Sequence, residues 1–247
     1  MRQYAAEGRA LQFGSLPAHH ARSRKPGYNP RNRSREGLTL IEPAQSHWDT
    51  VYRTRPHDAV SWYRAHLERS LELIRRSASN RSAAIIDVGG GESTLVDDLL
   101  AECYRDLTVL DISATAIDFA RRRIAGLEGA AGVNWRVADI TQADLPAARY
   151  DVWHDRAVFH FLTKPEERAA YVRSVAHAVR PGGHVIIATF GPQGPQKCSG
   201  LDVVRYDAAA LHAQFGRSFR LLESATELHR TPSGAEQQFL YCLCKAE

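Results

Sequence analysis

The sequence predicts a three-layer α/β fold, a seven-stranded and mostly parallel sheet between helical layers, ending in a C-terminal antiparallel hairpin. Three observations predict it. From residue 83 onward short apolar runs alternate with helical patterns, as parallel strands joined by crossover helices require. A glycine run, Gly89-Gly90-Gly91, joins the first apolar run to the first of those helices. The last two apolar stretches are separated only by the turn Thr231-Pro232-Ser233-Gly234, so they pair directly and antiparallel.

The elements follow in order. Residues 1–41 are rich in Arg, Ser, Pro, Gly and Asn without a sustained apolar period, and read as a basic flexible arm. An Arg-rich start also suits a transit peptide, but Pro17, Pro26 and Pro30 break any long amphipathic helix there. One domain occupies residues 42–247. Segments 45–54 and 58–77 read as helices, the second from Val60, Tyr63, Leu67, Leu71 and Ile74 at helical spacing. Strand Ala83–Val88 precedes helix Glu92–Cys103, strand Leu107–Asp111 precedes helix Ala114–Leu127, and Val133–Ala138 is the third strand. Strand Tyr150–Asp155 and helix Pro165–Val179 come next. Pro181-Gly182-Gly183 reads as a helix stop and turn before strand His184–Phe190. The stretch Phe190–Gly200, with three Gly and two Pro, reads as a shaped loop without a strand of its own. Helix Ala208–Phe215 leads to strands 218–229 and 236–244.

Composition narrows the function classes. The chain is 44% hydrophobic and 24% charged, ordinary for a globular protein. Its net charge of +4 comes from residues 1–41, which carry about +6 and leave about −2 on the rest. A nucleic-acid-binding domain would concentrate Lys and Arg on its folded part, so no nucleic-acid partner is expected. Cys103, Cys198, Cys242 and Cys244 form no CxxC and no zinc spacing with His, so no metal is expected. Cys242 and Cys244 would share one face of a strand and not bridge. All four read as reduced thiols, which with no apolar run near the ~20 residues of a membrane span predicts a cytoplasmic protein without a membrane partner.

The chemistry gathers where strands end. In doubly wound sheets ligands bind beyond the carboxyl ends of the strands, at the loop after the first. There the chain reads Asp87-Val88-Gly89-Gly90-Gly91-Glu92-Ser93-Thr94. The dinucleotide pattern GxGxxG fails at Thr94, and Glu92 repels a pyrophosphate. Asp87 instead suits a ligand with a cationic amino-acid end. Asp111, closing the second strand, suits a ribose diol, because Ser113 already serves as N-cap of the next helix. Asp139-Ile140 after the third strand suits an adenine amine. His154-Asp155 closes the fourth.

These motifs resemble those of the class I, seven-β-strand, Rossmann-like methyltransferases. The likeness rests on Asp87-Val88-Gly89-Gly90-Gly91, Leu110-Asp111-Ile112-Ser113, Ala138-Asp139-Ile140 and Arg180-Pro181-Gly182-Gly183-His184. It implies S-adenosylmethionine as cofactor and S-adenosylhomocysteine as product. The methionine end would lie near Asp87, Gly89, Gly90 and Gly91, the ribose near Asp111 and Ile112, and the adenine near Asp139 and Ile140. Ser93, His47-Trp48-Asp49 and Trp62-Tyr63 are similar to a branch that includes protein-lysine methyltransferases. That branch carries acid-Lys-Gly after the fourth strand, where this chain has Asp155-Arg156-Ala157.

Methyl transfer from a sulfonium needs alignment and exclusion of water more than a base. If a base acts, His154, Asp155 and His160 are placed for it at or just after the end of the fourth strand, and Asp155 is assigned to the cofactor as well. Trp48, Tyr52, Trp62 and Tyr63 precede the core as an aromatic lid, with Trp48 and Trp62 assigned to the cofactor and Tyr63 to the substrate. Arg156, Lys197 and Cys198 complete the substrate candidates; Lys197, Cys198 and Arg205 suit an anionic or soft one. The expected reaction is methylation of an N, O or S nucleophile on a small molecule. Protein-lysine methylation and a non-catalytic S-adenosylmethionine-binding module are the alternatives.

Overall fold

The computed structural model describes residues 41–78 and 80–247; the predicted basic arm, residues 1–41, lies almost wholly outside them. Helices α1 (Ile41–Thr54) and α2 (Glu68–Ser77) precede strand β1 (Ile85–Val88). Then come α3 (Leu95–Ala101), β2 (Leu107–Asp111), α4 (Ala114–Ile124), β3 (Asn134–Val137) and β4 (Tyr150–Arg156). Helix α5 (Pro165–Ala178) leads into β5 (Val179–Phe190). A small hairpin, β6 (Lys197–Cys198) and β7 (Leu201–Asp202), precedes α6 (Ala208–Phe215), β8 (Phe219–Arg230) and β9 (Glu236–Ala246).

The main sheet has seven strands in the order β3-β2-β1-β4-β5-β9-β8. Pairs among β1 to β5 are parallel, and β9 is antiparallel to both β5 and β8. The strand after β3 therefore returns to the far side of β1, and this reversal opens a crevice at the strand ends. On one face α2 and α3 pack through Leu71, Ile74, Leu95 and Leu99 onto Ile85, Val109 and Ile186. On the other, α5 and α6 pack through Tyr171, Val175, Leu211 and Phe215 onto Ile86, Trp153 and Ile187. Fully buried Trp153 donates its Nε1–H to Tyr171 Oη at 2.9 Å, which ties β4 to α5.

Three sequence expectations change. Residues 58–67 are turns, not the start of a helix. The carbonyls of Ser61 and Trp62 accept from His229 Nε2 at 2.7 Å and Arg156 Nη1 at 3.0 Å, so tertiary donors replace helical amides. Pro181-Gly182-Gly183 lies inside β5 as an irregularity opposite Tyr150–Val152, because β5 already pairs at Val179. The loop after Phe190 contains the β6–β7 hairpin, closed through Ser199 and Gly200 at positive φ. The four cysteines are unpaired, and Cys242 and Cys244 share one face of β9. Among the described residues no helix is long and apolar enough to cross a membrane, and no group of His, Cys, Asp or Glu forms a metal cluster.

Gly182 has φ +76°, and a Cβ there would meet nothing closer than Lys245 Cε at 3.9 Å. Space is free and only the backbone conformation is costly. Gly182→Ala is expected to lower stability by about 1 kcal/mol in urea denaturation, with an unchanged denaturant slope.

Candidate functional site

The loop from β1 to α3 is drawn tightly against its surroundings. Gly89 N–H donates to Leu110 O at 2.7 Å, anchoring the loop to the end of β2. Gly89 has φ +68°, and a Cβ there would lie 1.9 Å from Val158 Cγ2. Gly91 has φ +43°, and its Cβ would lie 2.6 Å from the Tyr52 hydroxyl. Only glycine fits such a cradle. The exit of the loop is clamped by Arg123 of α4, which donates to the carbonyls of Glu92 at 2.8 Å and Ser93 at 2.6 Å.

Behind the loop stands a buried polar chain. His154 Nδ1–H donates to the Asp87 carboxylate at 2.7 Å, and His154 Nε2 meets the Ser70 hydroxyl at 2.9 Å. All three residues are buried. Parallel register places Asp87 beside His154 on neighbouring strands. With both ring nitrogens engaged, His154 orients Asp87 and has no nitrogen left for a substrate proton.

Three further carboxyl groups surround the crevice. Asp111 Oδ1 accepts from Ser113 N–H at 2.8 Å, while Ser113 Oγ caps α4 by accepting from Ala116 N–H at 3.2 Å. Burial, with the Asp87 charge, pushes the Asp111 carboxyl up to about 7. Glu92 is pushed up to about 7 by burial, against the opposing charge of Arg123, and its Oε2 has no partner. Asp139 accepts from Thr141 N–H and Oγ1–H, each at 2.8 Å, and borders the crevice. Asp49 of α1 accepts from Ser113 Oγ at 2.6 Å and Thr115 N–H at 3.1 Å. That pair docks α1 over the site.

The crevice is a cavity of ≈ 350 Å³ bordered by Gly89, Asp111, Ile112, Asp139 and Ile140 on the sheet side. Trp48, Tyr52, Trp62 and Phe161 roof it. Trp48 meets Trp62 at 5.9 Å and Phe161 at 5.0 Å between ring centroids, both edge-on. A smaller recess of ≈ 40 Å³ lies between Asp87, Gly90, Glu92, His154 and Tyr63.

The predicted site residues therefore divide. Asp87, Gly89, Gly90, Gly91, Asp111, Ile112, Asp139, Ile140, Trp48 and Trp62 converge on the two cavities or their immediate wall. Arg156 and Cys198 border the larger one. Tyr63 borders the recess beside Asp87, so it stands with the cofactor-side residues. Lys197 does not reach either cavity; it is exposed and pairs with Asp202 at 3.0 Å. Arg205 donates to Pro192 O at 2.9 Å and shapes the loop instead. Asp155 borders neither cavity. Its carboxylate accepts from Val158 N–H, Phe159 N–H and Tyr171 Oη–H at 2.8, 3.1 and 2.6 Å, with burial raising it to about 6. His160 is likewise set back; Nδ1 accepts from Phe190 N–H at 3.2 Å, and burial, reinforced by Arg156, depresses the ring to about 3. Glu92 was not among the predicted cofactor residues, and Tyr52 was expected only as part of the aromatic lid. The signal for Glu92 was present, since a carboxylate that repels phosphate attracts an ammonium.

Comparison with known proteins fits this arrangement. A family model described as a methyltransferase domain matches residues 86–185. Over these residues the chain is similar to methyltransferase domains, and its sheet has the order and hairpin of the Rossmann-like methyltransferase fold. The malonyl-[acyl-carrier protein] O-methyltransferase of Halalkalibacterium halodurans is 28% identical over 128 residues, 51% of this chain and 46% of that protein. EEF1A lysine methyltransferase 2 of Danio rerio is 26% identical over 128 residues, 50% of this chain and 54% of that protein. The chain thus spans about half the length of these curated relatives. A Burkholderia thailandensis 1,6-didemethyltoxoflavin-N1-methyltransferase shares the fold at a TM-score of 0.61 and 16% identity, covering 86% of this chain and 93% of that one.

The cofactor of this family is S-adenosylmethionine, and the residues present fit it. The glycine cradle leaves room for close approach of a ligand. Asp87 and the unpartnered Glu92 Oε2 suit an ammonium, and Asp111 offers an acceptor to a diol.

The raised carboxyls set a pH dependence. A carboxyl held at about 7 in the folded chain and near ~4 unfolded binds its proton more tightly when folded. Its contribution to stability is therefore lost as pH rises from ~4 through 7. Asp111→Asn removes the buried charge and keeps an acceptor for Ser113. It is expected to stabilise the ligand-free chain at pH 8 by roughly 2 kcal/mol and by almost nothing at pH 4.5, measured by urea denaturation at both values.

Proposed function

We propose that this chain transfers a methyl group from S-adenosylmethionine to an N, O or S nucleophile on a small molecule. The observation that carries the reading is the aromatic-roofed cavity at the strand ends, bordered by Asp111 and Asp139, with Asp87 and Glu92 in the adjoining recess. When bound, S-adenosylmethionine supplies an electrophilic methyl group on a sulfonium. Asp87, aimed by His154 and Ser70, receives the ammonium together with Glu92. Asp111 accepts hydrogen bonds from the ribose, and Asp139 stands at the adenine end. Trp48 and Trp62 exclude water and present ring faces and edges to a cationic centre.

None of the three predicted bases borders the larger cavity. His154 is engaged at both nitrogens, and His160 and Asp155 are set back behind the wall. An acceptor whose lone pair is already available at neutral pH, such as an aromatic nitrogen, a thiolate or a carboxylate, needs no such base. A protein-lysine acceptor, the substrate that the name of the Danio rerio relative states, is less favoured. Arg156 and Ala157 replace the Lys-Gly of that branch, and Phe161 and Trp48 meet across the roof. The four unpaired cysteines support a reducing, cytoplasmic setting.

Turnover tests the reading. With methyl-labelled S-adenosylmethionine and a whole-cell extract, label is expected in the low-molecular-weight fraction. Label confined to protein would favour the lysine reading, and binding without turnover would favour a binding module. His154→Ala is expected to weaken S-adenosylmethionine binding about 10-fold or more, as loss of a hydrogen bond to a buried charge does. The rate at saturation should change less than about threefold. A general base would show the reverse split.

A further inference from the structure

Among the described half-buried arginines, Arg156 is set apart by a buried N–H with no partner; Arg136 and Arg168 lack a carboxylate too but donate to main-chain carbonyls. Arg64 pairs with Glu227 at 2.8 Å, Arg69 with Glu223 at 2.6 Å and Arg123 with Asp97 at 2.6 Å. Arg156 has no carboxylate partner among the described residues. Its Nη1 donates to Trp62 O at 3.0 Å and its Nε to Tyr241 Oη at 3.2 Å, and the guanidinium lies 4.3 Å over the Phe239 ring. These neutral contacts hold the plane of the group still. Nη2 is buried and has no hydrogen-bond partner. The side chain borders both cavities.

The surroundings sharpen the contrast. The crevice carboxylates Asp87, Glu92, Asp111 and Asp139 come from the β1, β2 and β3 ends of the sheet. Arg156 faces the β5–β9 side, where its charge is felt by Cys198 and adds to burial in depressing His160 and His229. Arg64 and Glu227, the other charges felt by His229, pair with each other at 2.8 Å, whereas Arg156 has no carboxylate of its own among the described residues. A buried charge with an unmade hydrogen bond costs free energy that a ligand anion would recover. A planar guanidinium with a free N–H suits a carboxylate. Next to it Trp62 and Phe161 offer apolar rings.

We propose that Arg156 recognises a carboxylate on the small-molecule methyl acceptor, whose apolar body lies against Trp62 and Phe161. The proposal rests on the methyltransferase reading and deepens it by naming the acceptor's chemical class, an organic acid with a flat apolar body. Arg156 is a recognition residue here, distinct from the carboxylates that hold the cofactor's amine and ribose.

Benzoate and its neutral isostere benzamide test it, titrated calorimetrically into the full chain saturated with S-adenosylhomocysteine. Benzoate is expected to bind with a Kd below about 1 mM, and benzamide about tenfold or more weaker. Arg156→Met should remove that difference, and Arg156→Lys should keep part of it by retaining the charge. Both variants should bind S-adenosylhomocysteine within about threefold of wild type, which also shows that they fold. Equal binding of benzoate and benzamide, or no benzoate binding, would overturn the proposal. So would an Arg156→Met variant with S-adenosylhomocysteine binding weakened tenfold or more, because the anion would then be the cofactor's own carboxylate. If wild type fails to bind S-adenosylhomocysteine, the methyltransferase reading itself falls.

Discussion

Asp87 ends a buried chain in which Ser70 of α2 meets His154 of β4 and His154 meets the aspartate on β1. Three elements far apart in sequence thereby fix one carboxylate at the root of the glycine loop. The parallel register of β1 and β4 brings Asp87 level with His154, and α2 must dock on this face for its buried serine to reach the ring. Once Asp87 is held, the loop has little freedom. Gly90 packs over the Asp87 carboxylate, where an added Cβ would come 2.8 Å from Oδ2. Gly89 and Gly91 then turn through positive φ against Val158 and Tyr52. The loop, the roof and the first turn of α3 are all referred to that one side chain.

The same region places charge where water is scarce. Asp111 and Glu92 are both pushed up to about 7 by burial, a cost in the ligand-free chain that a polyhydroxylated, cationic ligand relieves. Stability is given up locally for binding, as is common where a site must hold a charged molecule. Arg156 is the matching case of opposite sign on the β5–β9 side. Acids on one side of the crevice and an unpaired cation on the other form a field suited to two ligands of different charge pattern.

Much of this was legible because it follows from strand and helix periods. Alternation of apolar runs and helices predicts the parallel sheet, and carboxylates closing successive strands predict the crevice. The turn Thr231-Pro232-Ser233-Gly234 predicts the pairing of β8 with β9, whereas the place of β9 inside the sheet, next to β5, comes from the structure. What escaped depends on contacts between distant residues. The partner of His154 is 84 residues away, and no local pattern announces it. Residues 58–67 carry a helical spacing, yet His229 and Arg156 capture their carbonyls. Strand geometry does explain one division after the fact. His154 and Arg156 share a face of β4 while Asp155 points to Tyr171 on the other, so the three never belonged to one site. Lys197 and Cys198 separate in the same way across β6.

The most direct test of the account is a calorimetric titration of the wild-type chain with S-adenosylhomocysteine and, separately, with NADH. The account predicts micromolar binding of the first, favoured by Asp87, Asp111 and Glu92, and none of the second, whose pyrophosphate Glu92 repels. Binding of NADH, or of neither ligand, would contradict it.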